Sequence, residues 1–136
     1  MPAKIIDGKA LAAKFLDDVR KKVNEAKEKP GLAIVLVGNN PASEIYVGAK
    51  EKTCNSVGIY CERYDLDGNV SEDEVLKLVD ELNQNRKIHG FIVQLPLPKH
   101  IDENLIIDSI LPHKDVDGLT PVNIGNLVND NNMLLP

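Results

Sequence analysis

The chain has 136 residues, a net charge of −5 and no tryptophan, with 43% hydrophobic and 27% charged residues. It is long enough for one domain with a real core and too short for two ordinary ones. With no dense Lys/Arg stripe, and no apolar run near the roughly 20 residues that span a bilayer, it is expected to bind neither nucleic acid nor membrane.

In chain order, Met1-Pro-Ala-Lys lacks the apolar core of a signal peptide, which predicts a cytoplasmic protein. Ile5-Ile6 is a short strand candidate ended by Asp7-Gly8. A helix is predicted from about Lys9 to Glu28, with Leu11, Phe15, Val19 and Val23 at steps of four and Pro30-Gly31 as its stop. Leu32 to Val37 is a continuous apolar run, the mark of a strand buried on both faces of a parallel sheet. Gly38-Asn39-Asn40 turns the chain, Asn40 can cap, and Pro41 suits the first position of a helix that Gly58 ends.

Ile59 to Leu66 is a partly polar strand, expected nearer an edge, followed by an Asp67-Gly68-Asn69 turn. Ser71 to Glu74 reads as a capping box, with Val75, Leu78, Val79 and Leu82 spaced along one helical face behind it. Gly90 to Leu95 is the fourth main strand, and Pro96 ends it because proline cannot donate to the ladder. A short helix from Asn104 to Leu111, a loop from Pro112 to Gly118 and a helical turn from Val122 to Val128 follow, then a polar, loose Asn129 to Asn132. Cys54 and Cys61 read as reduced thiols, and His89, His100 and His113 lack ligand spacing, so no metal is expected.

This alternation predicts an α/β fold: a three-layer α-β-α domain around an open, mostly parallel sheet of about four main strands. Ligand sites in such sheets form at the carboxyl ends of the strands, where Gly38 to Lys50, Gln94 to Pro98 and Lys114 to Gly118 meet. Tyr46 and Lys50, four residues apart, share a helical face, and an aromatic shelf beside a lysine suits a flat, anionic ligand and a proton transfer. On spacing alone, a half-buried ring and a solvated charge are the commoner explanation of such a pair. Gly38-Asn39-Asn40 lacks both nucleotide fingerprints, so a plain turn outweighs a phosphate cradle. Gln94 is an amide inside an apolar run and needs a partner if buried. Asp115 and Asp117 could act as an acid-base pair, or Asp117 could accept from an aminopyrimidine edge while Asp115 structures the turn.

Three strings, VGNNPASEIYVGAKEK, GFIVQLPLP and HKDVDGLTPVNIGNL, resemble the signatures of the methylenetetrahydrofolate dehydrogenase/cyclohydrolase family, in its order and spacing. The resemblance covers essentially the whole chain. It implies oxidation of 5,10-methylenetetrahydrofolate with NADP or NAD, then hydrolysis of the methenyl form to 10-formyltetrahydrofolate. It implies that Lys50 is the catalytic lysine, that Gln94 bonds and orients it, and that Tyr46 stacks on the folate ring system. Asp117 would hold the pterin's amino edge, and the backbone of Leu95, Pro96, Leu97 and Pro98 would line the pocket.

The family's dinucleotide site lies on a second, Rossmann-type domain, so residues 1–136 would be the folate-binding catalytic domain alone. Hydride transfer is then expected to be absent from this polypeptide and cyclohydrolase activity weak. The full-length enzyme would be a homodimer, and this piece monomeric or prone to stick. Two rivals stand beside this reading. One is a truncated folate-binding module without turnover. The other is a receiver-like domain, which Gly-Asn-Asn after Val37 disfavours, since receivers carry an acidic cluster there.

Overall fold

The structure, a computed structural model, describes residues 5–129. The predicted loose segment lies outside them beyond Asn129. Among the described residues eight elements follow one another: α1 (Gly8–Glu25), β1 (Gly31–Val37), α2 (Pro41–Val57), β2 (Tyr60–Leu66), α3 (Glu72–Gln84), β3 (Gly90–Val93), α4 (Glu103–Asp108) and α5 (Pro121–Val128). The strands form one parallel sheet in the order β2-β1-β3.

Ala33 to Val37 are all buried, because β1 has a strand on either side and helices over both faces. Its odd-numbered side chains, Ala33, Val35 and Val37, pack with Phe91 and Val93 of β3, with Val75, Val79 and Leu82 of α3, and with Ile106 of α4. Its even-numbered ones, Ile34 and Leu36, meet Val47 of α2. Each such aliphatic side chain contributes about 1.5–3 kcal/mol by leaving water. The partly polar β2 sits at the edge, as its alternation predicts: Arg63 pairs outward with Glu44 of α2 at 3.0 Å and with Asp65 at 2.8 Å.

Local signals set the helix ends. Asn40 Oδ1 accepts from the Ala42 and Ser43 amides, and Gly58 closes α2 at φ 86°. Ser71 and Glu74 form the predicted capping box of α3. One expectation fails. Among the described residues the sheet has three strands rather than about four, because Ile5-Ile6 pairs with no described strand and lies exposed. The α1 stripe is mostly uncovered: Val23 is buried, while Phe15 is 61% exposed.

The place of a further strand beside β3 is taken by a single parallel bridge, Phe91 to Asp115, with the Phe91 amide donating to the Lys114 carbonyl at 2.9 Å. Gly90 makes this approach possible. A Cβ there would fall 2.2 Å from Val116 Cγ1 and 3.2 Å from the Lys114 carbonyl oxygen. Val116 is β-branched and stiff about χ1, so it yields little. Gly90→Ala is therefore expected to cost about 1–3 kcal/mol by overpacking, read from urea unfolding. A loss below about 0.5 kcal/mol, the level of an ordinary surface change, would mean that the loop does not depend on this contact.

Candidate functional site

At the carboxyl edge of the sheet the strands end together, Val37 opposite Leu66 and Val35 opposite Val93. The Gln94 amide extends the ladder by donating to the Val35 carbonyl at 2.9 Å. That bond fixes where the Gln94 side chain begins. Its Nε2 donates to the Leu95 carbonyl at 2.8 Å, which turns Oε1 toward α2. Lys50 Nζ donates to that Oε1 at 3.1 Å. Lys50 and Gln94, 44 residues apart in sequence, are thus held as a half-buried pair by a strand end and a helix. One ammonium hydrogen is spent on the amide, and Nζ carries two more as donors.

Tyr46 lies one turn before Lys50 with its ring 63% exposed. Together with Leu32, Ala49, Thr53, Cys54 and Ile92, the two line a groove of about 350 Å³. Burial pushes the Cys54 thiol up, and burial with the neighbouring Cys54 pushes Cys61 up to about 11. Both thiols are therefore neutral near pH 7, and the groove wall stays apolar.

That groove runs along the sheet face beside α2, whereas a second, more polar cleft of about 440 Å³ lies at the carboxyl edge, between Gly38 to Pro41 on one side and Pro96 to Pro98 on the other. The Leu97 amide there donates to Glu103 Oε1 at 2.9 Å, so a carboxylate from α4 braces the proline loop. Sequence reasoning missed Glu103, since nothing in the string marks it as a brace. The Leu97 side chain is buried in the core, and Leu95 packs partly against that core. The amino end of α2 is occupied by its own Asn40 cap, which agrees with reading Gly38 to Asn40 as a turn.

The third segment divides its labour. Lys114 is buried, and its Nζ donates to the carbonyls of Asn85 at 2.7 Å, Leu82 at 3.2 Å and Ile88, closing the carboxyl end of α3. Burial pushes its ammonium below the ordinary lysine value. Asp115, also buried, accepts from the Thr120 amide at 2.8 Å, the Leu119 amide at 3.2 Å and Asn123 Nδ2 at 2.9 Å. Burial alone would raise its carboxyl, but these bonds outweigh it and hold it below the usual carboxylate range. Asp117 is half-buried, and no hydrogen bond or ion pair among the described residues engages it. It lines neither of the two clefts.

Another cavity opens at the opposite, amino edge, lined by Glu28, Lys29, Tyr60, Arg86, Lys87 and His89. It carries mixed charge and lacks a held pair like Lys50 and Gln94. Among the described residues, no cluster of His, Cys, Asp and Glu could hold a metal, and no helix is long and apolar enough to cross a membrane.

Residues 6–117 match the family described as tetrahydrofolate dehydrogenase/cyclohydrolase, catalytic domain. The bifunctional protein FolD of Moorella thermoacetica is 53% identical over 131 residues, covering 94% of this chain and 47% of that protein. A crystal structure of the bifunctional FolD methylenetetrahydrofolate dehydrogenase/cyclohydrolase of Campylobacter jejuni superposes with a TM-score of 0.90 at 44% identity, covering 92% of this chain and 45% of that one. The Trypanosoma brucei methylenetetrahydrofolate dehydrogenase-cyclohydrolase, crystallised with NADP cofactor and an inhibitor, superposes with a TM-score of 0.91 at 34% identity, covering 99% of this chain and 48% of that one. The chain spans about half the length of the curated relatives it matches.

The depressed Asp115 carboxyl has a consequence in acid. The unfolded chain takes up the proton first, so the bonds to Asp115 stabilise fully above the ordinary value of about 4 and are lost as pH falls through the lower folded value. Hydrogen exchange at the Leu119 and Thr120 amides should therefore stay protected through the ordinary carboxylate range and open below it. Protection lost at the ordinary value, in step with surface carboxylates, would contradict this.

Proposed function

The chain belongs to the tetrahydrofolate dehydrogenase/cyclohydrolase family, and from that premise we propose that residues 1–136 are its folate-binding catalytic domain. The whole protein would interconvert 5,10-methylenetetrahydrofolate, 5,10-methenyltetrahydrofolate and 10-formyltetrahydrofolate, using NADP for the oxidation. The observation that carries this reading is the 3.1 Å bond from Lys50 Nζ to Gln94 Oε1, beside the open ring of Tyr46.

In hydrolysis, water adds to the methenyl carbon between N5 and N10 and releases one proton; the remaining hydroxyl proton is then transferred to N5 as the bond from that carbon to N5 breaks with its electron pair going to nitrogen, which leaves N5–H and the formyl group on N10. That step needs one positioned group to move protons and a surface that holds the ring. Lys50 is the proton-transfer group in this reading. Gln94 orients it with a neutral acceptor, so the lysine keeps donors for the substrate. Tyr46 offers its face to the folate rings, as aromatic pairs favour. Asp117 accepts two parallel bonds from the pterin's amino edge, the pairing a carboxylate makes best. The backbone from Leu95 to Pro98 forms the pocket rim.

NADP supplies hydride acceptance when bound. These residues do not fit it, since they hold no glycine-rich phosphate cradle and the α2 amino end is already capped. Hydrolysis of the methenyl form proceeds without it. The rest of the reading follows the family: a homodimer working in the cytoplasm, whose 10-formyl product serves formyl transfer in purine synthesis.

The test is the loss of methenyltetrahydrofolate absorbance on adding the chain and its Lys50→Met variant. Turnover should fall about 10²–10⁴-fold in the variant, with folate binding and thermal midpoint nearly unchanged. Equal turnover in the two proteins would remove Lys50 from the chemistry. Folate binding by the parent chain without any turnover would favour a binding module instead.

A further inference from the structure

We propose that Asp115 is a positioning residue for folate recognition, holding the loop so that Asp117 presents a free carboxylate to the pterin. The inference rests on the folate reading of Asp117 above. The two carboxylates lie two residues apart and live in opposite conditions. Both Asp115 oxygens are spent inside the protein, Oδ1 on the Leu119 amide and Oδ2 on the Thr120 amide and Asn123. Among the described residues, Asp117 is bound to nothing.

The bonds to Asp115 cross the loop in a particular way. They join its start to the amino end of α5, so the chain from Val116 to Gly118 is closed into a short arch. Asn123 adds a second tie by donating to the Pro112 carbonyl at 2.9 Å. Gly118, at φ 70°, supplies the left-handed turn after Asp117. On the other side the loop is seated against β3 by the Phe91 to Asp115 bridge and against the end of α3 by the buried Lys114. Asp117 follows by two residues the one position, Asp115, at which the loop pairs with β3. A carboxylate at the crown of a braced arch loses little freedom on binding, which is what bidentate recognition requires.

Asp115→Asn keeps the shape and turns one oxygen into a donor facing donors, so the arch loosens while the core is untouched. The readout is the preference of the chain for folate over its 2-desamino-2-methyl analogue, measured by calorimetry. The parent should favour folate by about tenfold or more, as a charge-assisted pair predicts. Asp117→Asn should bring the ratio near one, Asp115→Asn should cut it at least several-fold, and the double variant should be no worse than Asp117→Asn. A purely structural Asp115 would lower the thermal midpoint without this coupling.

Additive losses in the double variant, or an unchanged ratio in a folded Asp115→Asn, would overturn the positioning role alone. An unchanged ratio in Asp117→Asn would defeat the amino-edge reading itself, and the positioning role with it. Should Asp115→Asn fail to fold, Asn123→Ala decides: it removes one donor to Asp115 and the tie to Pro112, and should lower the ratio in the same direction. An unchanged ratio there would overturn the proposal.

Discussion

A strand whose five consecutive residues, Ala33 to Val37, are all buried cannot stand at the margin of a sheet. It needs a strand on each side and a helical layer on each face, and β2, β3, α2, α3 and α4 supply them. Everything at the site follows from that position. A central strand's carboxyl end is where the chain must leave the sheet, and here it leaves through Gly38 into the capped α2 that carries Tyr46 and Lys50. The neighbouring β3 ends at the same level and delivers Gln94.

Polar groups in the interior are handled by the same economy. No buried side-chain nitrogen or oxygen among the described residues lacks a hydrogen-bond partner. Lys114 satisfies itself on the Leu82, Asn85 and Ile88 carbonyls at and just past the end of α3, and Asp115 on amides that begin α5. One ion in each case completes a helix terminus and fastens a loop. The 114–120 segment is therefore tied down at both ends, where loops are ordinarily loose.

Legibility tracked the range of the interaction. The Asn40 and Ser71 caps, the Gly58 stop and the buried run of β1 depend on neighbours within a few residues, and periodicity revealed them. Ile5-Ile6 has strand character but no partner strand among the described residues, which no local pattern could foretell. The α1 stripe has the right spacing, yet only Val23 meets the rest of the described protein closely enough to be buried. Asp115 was legible as a turn-former, whereas the brace from Glu103 to the Leu97 amide was not.

By itself the sequence determined the order of elements, the two-sided burial of β1 and the identity of the reactive-type residues, because these rest on side-chain chemistry and short-range spacing. Only the tertiary structure decided that Lys50 meets Gln94 and, among the described residues, that Asp115 is consumed within the protein while Asp117 has no partner, and that the sheet has three strands. Those outcomes depend on strand register and on which backbone groups remain unpaired after packing. Register and pairing are properties of segments brought together from across the chain.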